Sequence, residues 1–266
     1  MRAPETAMAH ASLFRWQSAS LSDVGRVRSV NEDACLEQPE RGLWAVADGM
    51  GGHTLGDVAS RMVVDALARM TGEGDLAMRA AEVRACLADV NRRLMTEAAM
   101  REVQTIGSTA AVLLAGDARC ICLWAGDSRI YLYRDSTLQQ LTRDHSHVEE
   151  LVSRGLLSPD EARRHPARNL ITRAVGVADT LELEEGDTEV RDGDMFVLCS
   201  DGLSNEVDAQ QMAALLARQD CRLAAQRLVE EALEHGGRDN VTVVVAMAVD
   251  PRHDEMTAVN PALAAA

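Results

Sequence analysis

Aromatic side chains are scarce in this sequence: three Trp, two Tyr and two Phe in 266 residues, or 3% of the chain. The core must therefore be packed from Ala, Val, Leu and Met, which the 47% apolar content supplies. Basic charge is also short. Against 42 Asp and Glu stand 27 Lys and Arg, a net charge of −15 with no basic block to offset it. Such a surface repels phosphodiester backbones and anionic lipid, which argues against nucleic acid and membrane as partners. No apolar run approaches the roughly 18 residues of a membrane span. The N-terminus lacks the apolar stretch of a secretory signal, so a cytoplasmic protein is expected. The six cysteines (35, 86, 120, 122, 199 and 221) contain no C-x-x-C pair and read as small buried hydrophobes in a reducing compartment. Cys120 and Cys122 alternate along an apparent strand and should share a face.

No linker rich in Pro, Gly or Ser divides the chain, and no internal repeat is present. One domain is expected over 19–250, between a loose lead-in at 1–18 and a frayed tail at 251–266. Short apolar or alternating runs predict strands at 42–48, 108–116, 119–127, 129–134, 194–201 and 240–249. Helical spacing appears at 57–70, 76–100 and 221–233. The strands follow one another through turns instead of alternating with helices, which favours a layered α+β fold with antiparallel pairing over a doubly wound parallel sheet. Residues 143–176 form a polar insertion with two short helices, the second capped by Ser158 with Pro159 in its first turn. Such an insertion is a candidate flap over a substrate site.

Three apolar strands close on an aspartate: "AVADG" on Asp48, "LWAGDS" on Asp127 and "VLCSDG" on Asp201. A fourth, "VTVVV", is preceded by Asp239. One such residue alone is a turn former. Four beside buried strands would converge if those strand ends lie together, and clustered carboxylates repel unless a cation joins them. Oxygen ligands select Mg²⁺ or Mn²⁺, and the cysteines and histidines lack zinc-ligand spacing. Upstream, "DVGRVRSVNEDA" places Arg28 four and five residues before Glu32 and Asp33. Taken alone, that is a surface ion pair. Beside a metal cluster, the guanidinium has a phosphate as its natural partner.

Here the motifs carry a family resemblance. "RSVNED", "ADGMGG", "GSTA", "AGDSR", "CSDGL" and "RDNVTVVV" resemble, in order and spacing, those of the metal-dependent protein phosphatases of the PPM family. The insertion resembles the flap of its bacterial members. The match runs from about Ser22 to Val249, and six motifs in order are specific where one is not. The resemblance implies a four-layer α-β-β-α sandwich of two antiparallel sheets, with two tightly bound metals at one end and a third, weaker one. It implies that Asp48 bridges the two ions and that Gly49 lends its carbonyl, which explains the crowded glycines. Asp201 and Asp239 would complete one ion's ligands. Glu32, with Asp33 beside it, would serve the other. Asp127 would hold the third ion and Arg28 the phosphate. The implied reaction is attack on phosphoserine or phosphothreonine by a water shared between two metals, in a monomer opposing a Ser/Thr kinase.

One position departs from the familiar eukaryotic pattern. Where those members carry a histidine proposed as general acid, this chain has Met50, and the nearest histidine is His53. His53 is a candidate acid, a helix-start structural role is the alternative, and a water on a metal is the preferred donor. A catalytically silent binding module would be expected to lose ligand aspartates, and none is lost. A metal-dependent nuclease would want a basic groove.

Overall fold

The computed structural model describes residues 13–51, 55–217 and 219–252. In chain order the elements are β1 (Arg15–Asp23), β2 (Asp33–Gln38), β3 (Leu43–Gly51), α1 (Gly56–Ala68), α2 (Leu76–Met100), β4 (Ile106–Ser108), β5 (Ala110–Ala115), β6 (Arg119–Ala125), β7 (Arg129–Arg134) and β8 (Thr137–Gln140). There follow α3 (His147–Ser153), α4 (Pro159–Arg164), β9 (Glu184–Glu189), β10 (Met195–Cys199), α5 (Asp201–Ser204), α6 (Ala209–Leu216), α7 (Cys221–Glu234) and β11 (Val241–Val249).

Two antiparallel sheets form, ordered β1-β11-β10-β7-β8 and β2-β3-β5-β6-β9, with β4 added to β3. The period-2 geometry of β3 explains why both are buried on both faces. Leu43, Ala45 and Ala47 face α1 and α2, packing with Val63, Leu67, Val83, Leu87 and Leu94. Trp44 and Val46 face the other way, into an inter-sheet layer with Phe196, Ile130, Val244 and both Cys120 and Cys122. On the far side, Val197, Cys199, Val243 and Val245 pack against α7. The result is the four-layer α-β-β-α sandwich. Truncating a central side chain such as Leu87 to Ala should cost about 2–5 kcal/mol.

The sequence misjudged the start of the domain. Arg15–Ser18, assigned to a loose lead-in, belong to β1, which pairs with β11 over nine positions. Trp16 lies 5.0 Å from Trp44 and 5.8 Å from Phe196, ring centre to ring centre. The strand's Ser- and Gln-rich alternation is weak because this edge strand is held largely by backbone pairing. Residues 1–12 and 253–266, which hold most of the expected lead-in and tail, lie outside the described residues. β9, "EEGDTE", was also missed. Its acidic side chains suit an exposed sheet edge, tied down by Arg84–Glu185 at 2.5 Å and by the Arg119–Asp187 pair.

The 143–176 insertion does contain two helices. Ser158 caps α4 through a full capping box with Glu161, and Pro159 opens the helix. Its exit is fastened to the body by buried Asn91, which accepts the Gly176 N–H (2.6 Å) and donates to the Ala178 carbonyl (2.8 Å).

Candidate metal centre

Antiparallel pairing decides which carboxylates meet. In the β2·β3 register Asp33 stands directly opposite Asp48, an arrangement of like charges that destabilises a sheet. In the β10·β11 pair, Cys199 sits opposite Val243, so Ser200 and Asp201 adjoin the approach to β11 that carries Asp239 and Asn240. β6 runs parallel to β3 across β5, so Asp127 emerges at the same end as Asp48. Their mutual influence records the convergence. Burial pushes the Asp48 carboxyl well above its usual range, and the charges of Asp33, Asp201, Asp127 and Asp239 push it further. Burial first, then Asp201 and Asp144, lift Asp127 to about 8. Asp33 is lifted to about 7 by burial, against the opposing hydrogen bonds of Ser200 and Thr242. Asp201 rises to about 6 through burial and the charge of Asp239.

The loop carrying Arg28 and Glu32 is positioned by a buried side chain that the sequence reading did not single out. Asn240 Oδ1 accepts the Glu32 N–H (2.8 Å), while its Nδ2 donates to the carbonyls of Val24 (2.9 Å) and Val30 (3.0 Å). Glu32 then turns Oε1 to the Gly56 N–H at 3.1 Å. The glycines make this contact possible. A Cβ on Gly49 would lie 1.9 Å from the Gly56 carbonyl oxygen and 2.7 Å from that of Glu32. A Cβ on Gly56 would lie 2.5 Å from Glu32 Oε1. Backbone and carboxylate therefore close in here to a distance that only glycine allows.

The remaining carboxylates have partial partners. Arg28 Nη2 donates to Asp239 Oδ2 at 2.8 Å, a bond that raises the guanidinium's already high pKa. Asn205 donates to Asp201 (3.0 Å) and Ser200 to Asp33 Oδ2 (2.7 Å). Asp33 Oδ1 is buried with no partner. Among the described residues no three His, Cys, Asp or Glu side chains already stand at the spacing of a finished ligand cage. Carboxylates that repel one another, with one cation, Arg28, among their donors, are expected to stand open in this way. The donor set fits a hard divalent cation: oxygen only, more negative than its surroundings neutralise, with an orphaned buried oxygen and a glycine cradle.

The protein phosphatase 2C family profile matches residues 25–235. The chain belongs to that family. As a protein phosphatase 2C domain it is similar to the serine/threonine protein phosphatase PstP of Mycobacterium tuberculosis, with 41% identity over 239 residues. That match covers 87% of this chain and 45% of PstP, so the chain spans about half the length of this relative. The solved structure of PppA, a key regulatory component of the T6SS in Pseudomonas aeruginosa, superimposes with a TM-score of 0.83 at 44% identity, covering 90% of this chain and 100% of that one. The catalytic domain of PstP in complex with two manganese ions gives a TM-score of 0.81 at 37% identity, covering 89% and 100%.

In this protein phosphatase 2C domain, Asp33, Asp48, Asp127, Asp201 and Asp239 come to one edge of the sandwich, with Glu32 and Gly49 at the cradle and Arg28 on Asp239. His53 lies outside the described residues. Besides Asn240, the sequence reading passed over Thr109 and Ser128. Thr109 Oγ1 accepts the Asp48 N–H (2.9 Å) and lies 2.7 Å from Ser128 Oγ, so two hydroxyls link the Asp48 and Asp127 turns. Both residues were visible inside "GSTA" and "AGDSR", but a neutral hydroxyl between two strands advertises nothing until its partner is known.

Proposed function

We propose that this chain hydrolyses phosphoserine and phosphothreonine in proteins, using Mn²⁺ or Mg²⁺. The observation that carries the reading is the convergence of five aspartates at one edge of the sandwich, where the charge on one carboxylate opposes ionisation of its neighbours. Such a set is costly without cations and well suited to holding them. Asp48 would bridge two ions with the Gly49 carbonyl beside it. Asp201 and Asp239 would complete one, Glu32 and Asp33 the other, and Asp127 would serve a third, weaker ion. Bound there, the metals supply Lewis acidity, acidifying water and offsetting charge on the phosphoryl oxygens.

The chain's own residues do the rest. Arg28, with its side chain about half exposed (53%), rests on Asp239 and is free to turn its fork to a phosphoryl group once that carboxylate is engaged. Burial pushes all six cysteine thiols up, Cys122 and Cys199 to about 12. None is a thiolate nucleophile, so direct attack by water is favoured over a covalent phosphoenzyme. Phosphorylated proteins are the expected partners of a monomer opposing a Ser/Thr kinase, and the likeness to PppA supports secretion-system control as one setting. The deciding experiment is hydrolysis of p-nitrophenyl phosphate and of a phosphothreonine peptide, with Mn²⁺ and then with excess chelator. Turnover that needs Mn²⁺ supports the proposal. Binding of metal and phosphopeptide without turnover would make the chain a binding module.

A further inference from the structure

Gly126, which leads into Asp127, is gripped by a single residue. Its N–H donates to His145 Nδ1 at 3.2 Å, and its carbonyl accepts the His145 backbone N–H at 2.9 Å. His145 is only 7% exposed. On its far side Nε2 meets Glu184 Oε2 at 2.9 Å, and its ring lies nearly parallel to that of Trp124, 6.1 Å away at 13°. Because the Gly126 N–H points at Nδ1, that nitrogen is the acceptor and the ring proton sits on Nε2, donated to Glu184. The histidine is thus oriented from outside to present one lone pair to one amide.

The same residue also holds the base of the flap. Its carbonyl accepts the Thr172 N–H at 2.7 Å, next to the Ser146–Ile171 bridge that closes the insertion. Its neighbours reinforce the attachment. Trp124 Nε1 donates to the Arg143 carbonyl (2.8 Å), and Arg129 clamps Asp144 through Nε (2.9 Å) and Nη2 (2.7 Å). Gly126 has no slack to absorb a change. Its φ is +110°, and a Cβ there would stand 2.6 Å from Thr109 Cγ2.

We propose that His145 is a positioning residue for the metal centre. It fixes the main chain of Gly126 and Asp127, and with it the aim of the Asp127 carboxylate, and it makes that turn and the flap base one mechanical unit. This rests on the assignment of Asp127 to the metal site. The competing explanation is a satisfied core histidine whose loss costs only stability. Partners behind a ligand that fix its orientation are worth about 10–100-fold in activity or metal affinity.

Two substitutions separate the explanations. His145→Asn places Oδ1 near the position of Nδ1, keeping an acceptor for Gly126 while losing Glu184 and the Trp124 stack. His145→Gln reaches toward Glu184 but leaves the Gly126 amide without an acceptor. Amide hydrogen exchange at Gly126 and Thr172 is read by NMR in the metal-free proteins, and kcat, KM and Tm are measured beside it at saturating Mn²⁺. His145→Gln should exchange Gly126 faster by about tenfold or more and lose about 10–100-fold in kcat, with KM little changed. His145→Asn should keep Gly126 protected and stay within about threefold of the parent kcat, although its Tm falls comparably. Equal kcat losses in the two variants, tracking Tm, would overturn the proposal, as would unchanged Gly126 exchange in His145→Gln. If neither variant folds, Glu184→Ala decides it, since that carboxylate is 44% exposed. Faster Gly126 exchange there supports the proposal and unchanged exchange overturns it. A parent protein that cleaves no phosphoester would end the phosphatase assignment, while the metal-free exchange data would still decide the role of His145.

Discussion

β10 has an aspartate at its start and a carboxylate cluster at its far end, and the fold treats the two in opposite ways. Asp194, just before the strand and 2% exposed, accepts from Arg134 Nε (2.7 Å), from Arg134 Nη2 (2.6 Å) and from the Arg191 N–H (2.6 Å). Its oxygens are engaged and its charge is matched. Past the strand's other end, Ser200 donates to Asp33, which is 8% exposed, has an oxygen with no partner and shares its surroundings with Asp48, Asp201 and Asp239. Burial is similar at both ends. Compensation is what differs, and an uncompensated buried carboxyl either holds its proton or takes a cation.

The sharpest way to break this comparison is to neutralise one aspartate at each end. Asp48→Asn or Asp239→Asn should lower kcat by more than about 10³-fold, while Tm without metal holds or rises because a repulsive charge has gone. Asp194→Asn should do the reverse. It strands Arg134, costs about 2–3 kcal/mol of stability and leaves the activity of the folded fraction near normal. Thermal melts in chelator and kinetics at saturating Mn²⁺ read both. Near-parental turnover in Asp48→Asn would sink the metal-centre assignment.

Asp127 tests whether the open end is one site or two. Asp127→Ala should keep two tight metals by calorimetry yet lose about 10²-fold on a phosphothreonine peptide and about tenfold or less on p-nitrophenyl phosphate. The peptide's alkoxide leaving group needs a proton that nitrophenolate does not, and Met50 cannot give one. An equal loss on both substrates would place Asp127 in the core site. A smaller effect is expected at Arg28. Arg28→Ala should raise KM and lower kcat/KM by about tenfold, and Lys should rescue poorly because it lacks the planar fork. Kinetics unchanged in Arg28→Ala would leave only the ion pair to Asp239.

Much of the open end was legible in the sequence, and the clasp was not. Asp48, Asp127 and Asp201 announce themselves because each interrupts an apolar run, and Gly49 and Gly51 because few other positions crowd glycine so closely. The strands at 129–134 and 240–249 were found nearly to the residue, since both are buried on two faces and read as continuous apolar stretches. What stayed hidden depends on partners distant in sequence. Asp194 precedes a strand much as Asp239 does, and it is its bonds from distant Arg134 that balance its charge. Asn240, Thr109 and His145 act through bonds spanning 208, 61 and 19 residues, which no local pattern encodes. β1 was missed for the same reason, because its partner is at the other end of the chain.

The smallest expected effect is also the most direct measure of uncompensated charge. Without metal, Asp33, Asp201 and Asp127 sit at about 7, 6 and 8 against an ordinary 3.8, because burial and neighbouring carboxylates disfavour their charged forms. Between those limits the folded protein binds more protons than the unfolded chain. The contribution of these three groups to stability in chelator is therefore greatest below about pH 4, falls as pH rises toward the folded values and levels off above about pH 8. The groups are coupled and partly reached by water, so the fall should be on the order of 1 kcal/mol between about pH 5 and about pH 7. Asp239→Asn should flatten it by removing a charge that Asp33 and Asp201 both face. Saturating Mn²⁺ should reverse its sign, since the cation binds the ionised carboxylates and stabilises the folded state more as they lose protons. Urea titrations across this range, with chelator and with Mn²⁺, give the slopes directly. A chelator slope left unchanged by Asp239→Asn would mean that the carboxylates beyond β10 are already compensated, as Asp194 is, and the contrast between its two ends would disappear.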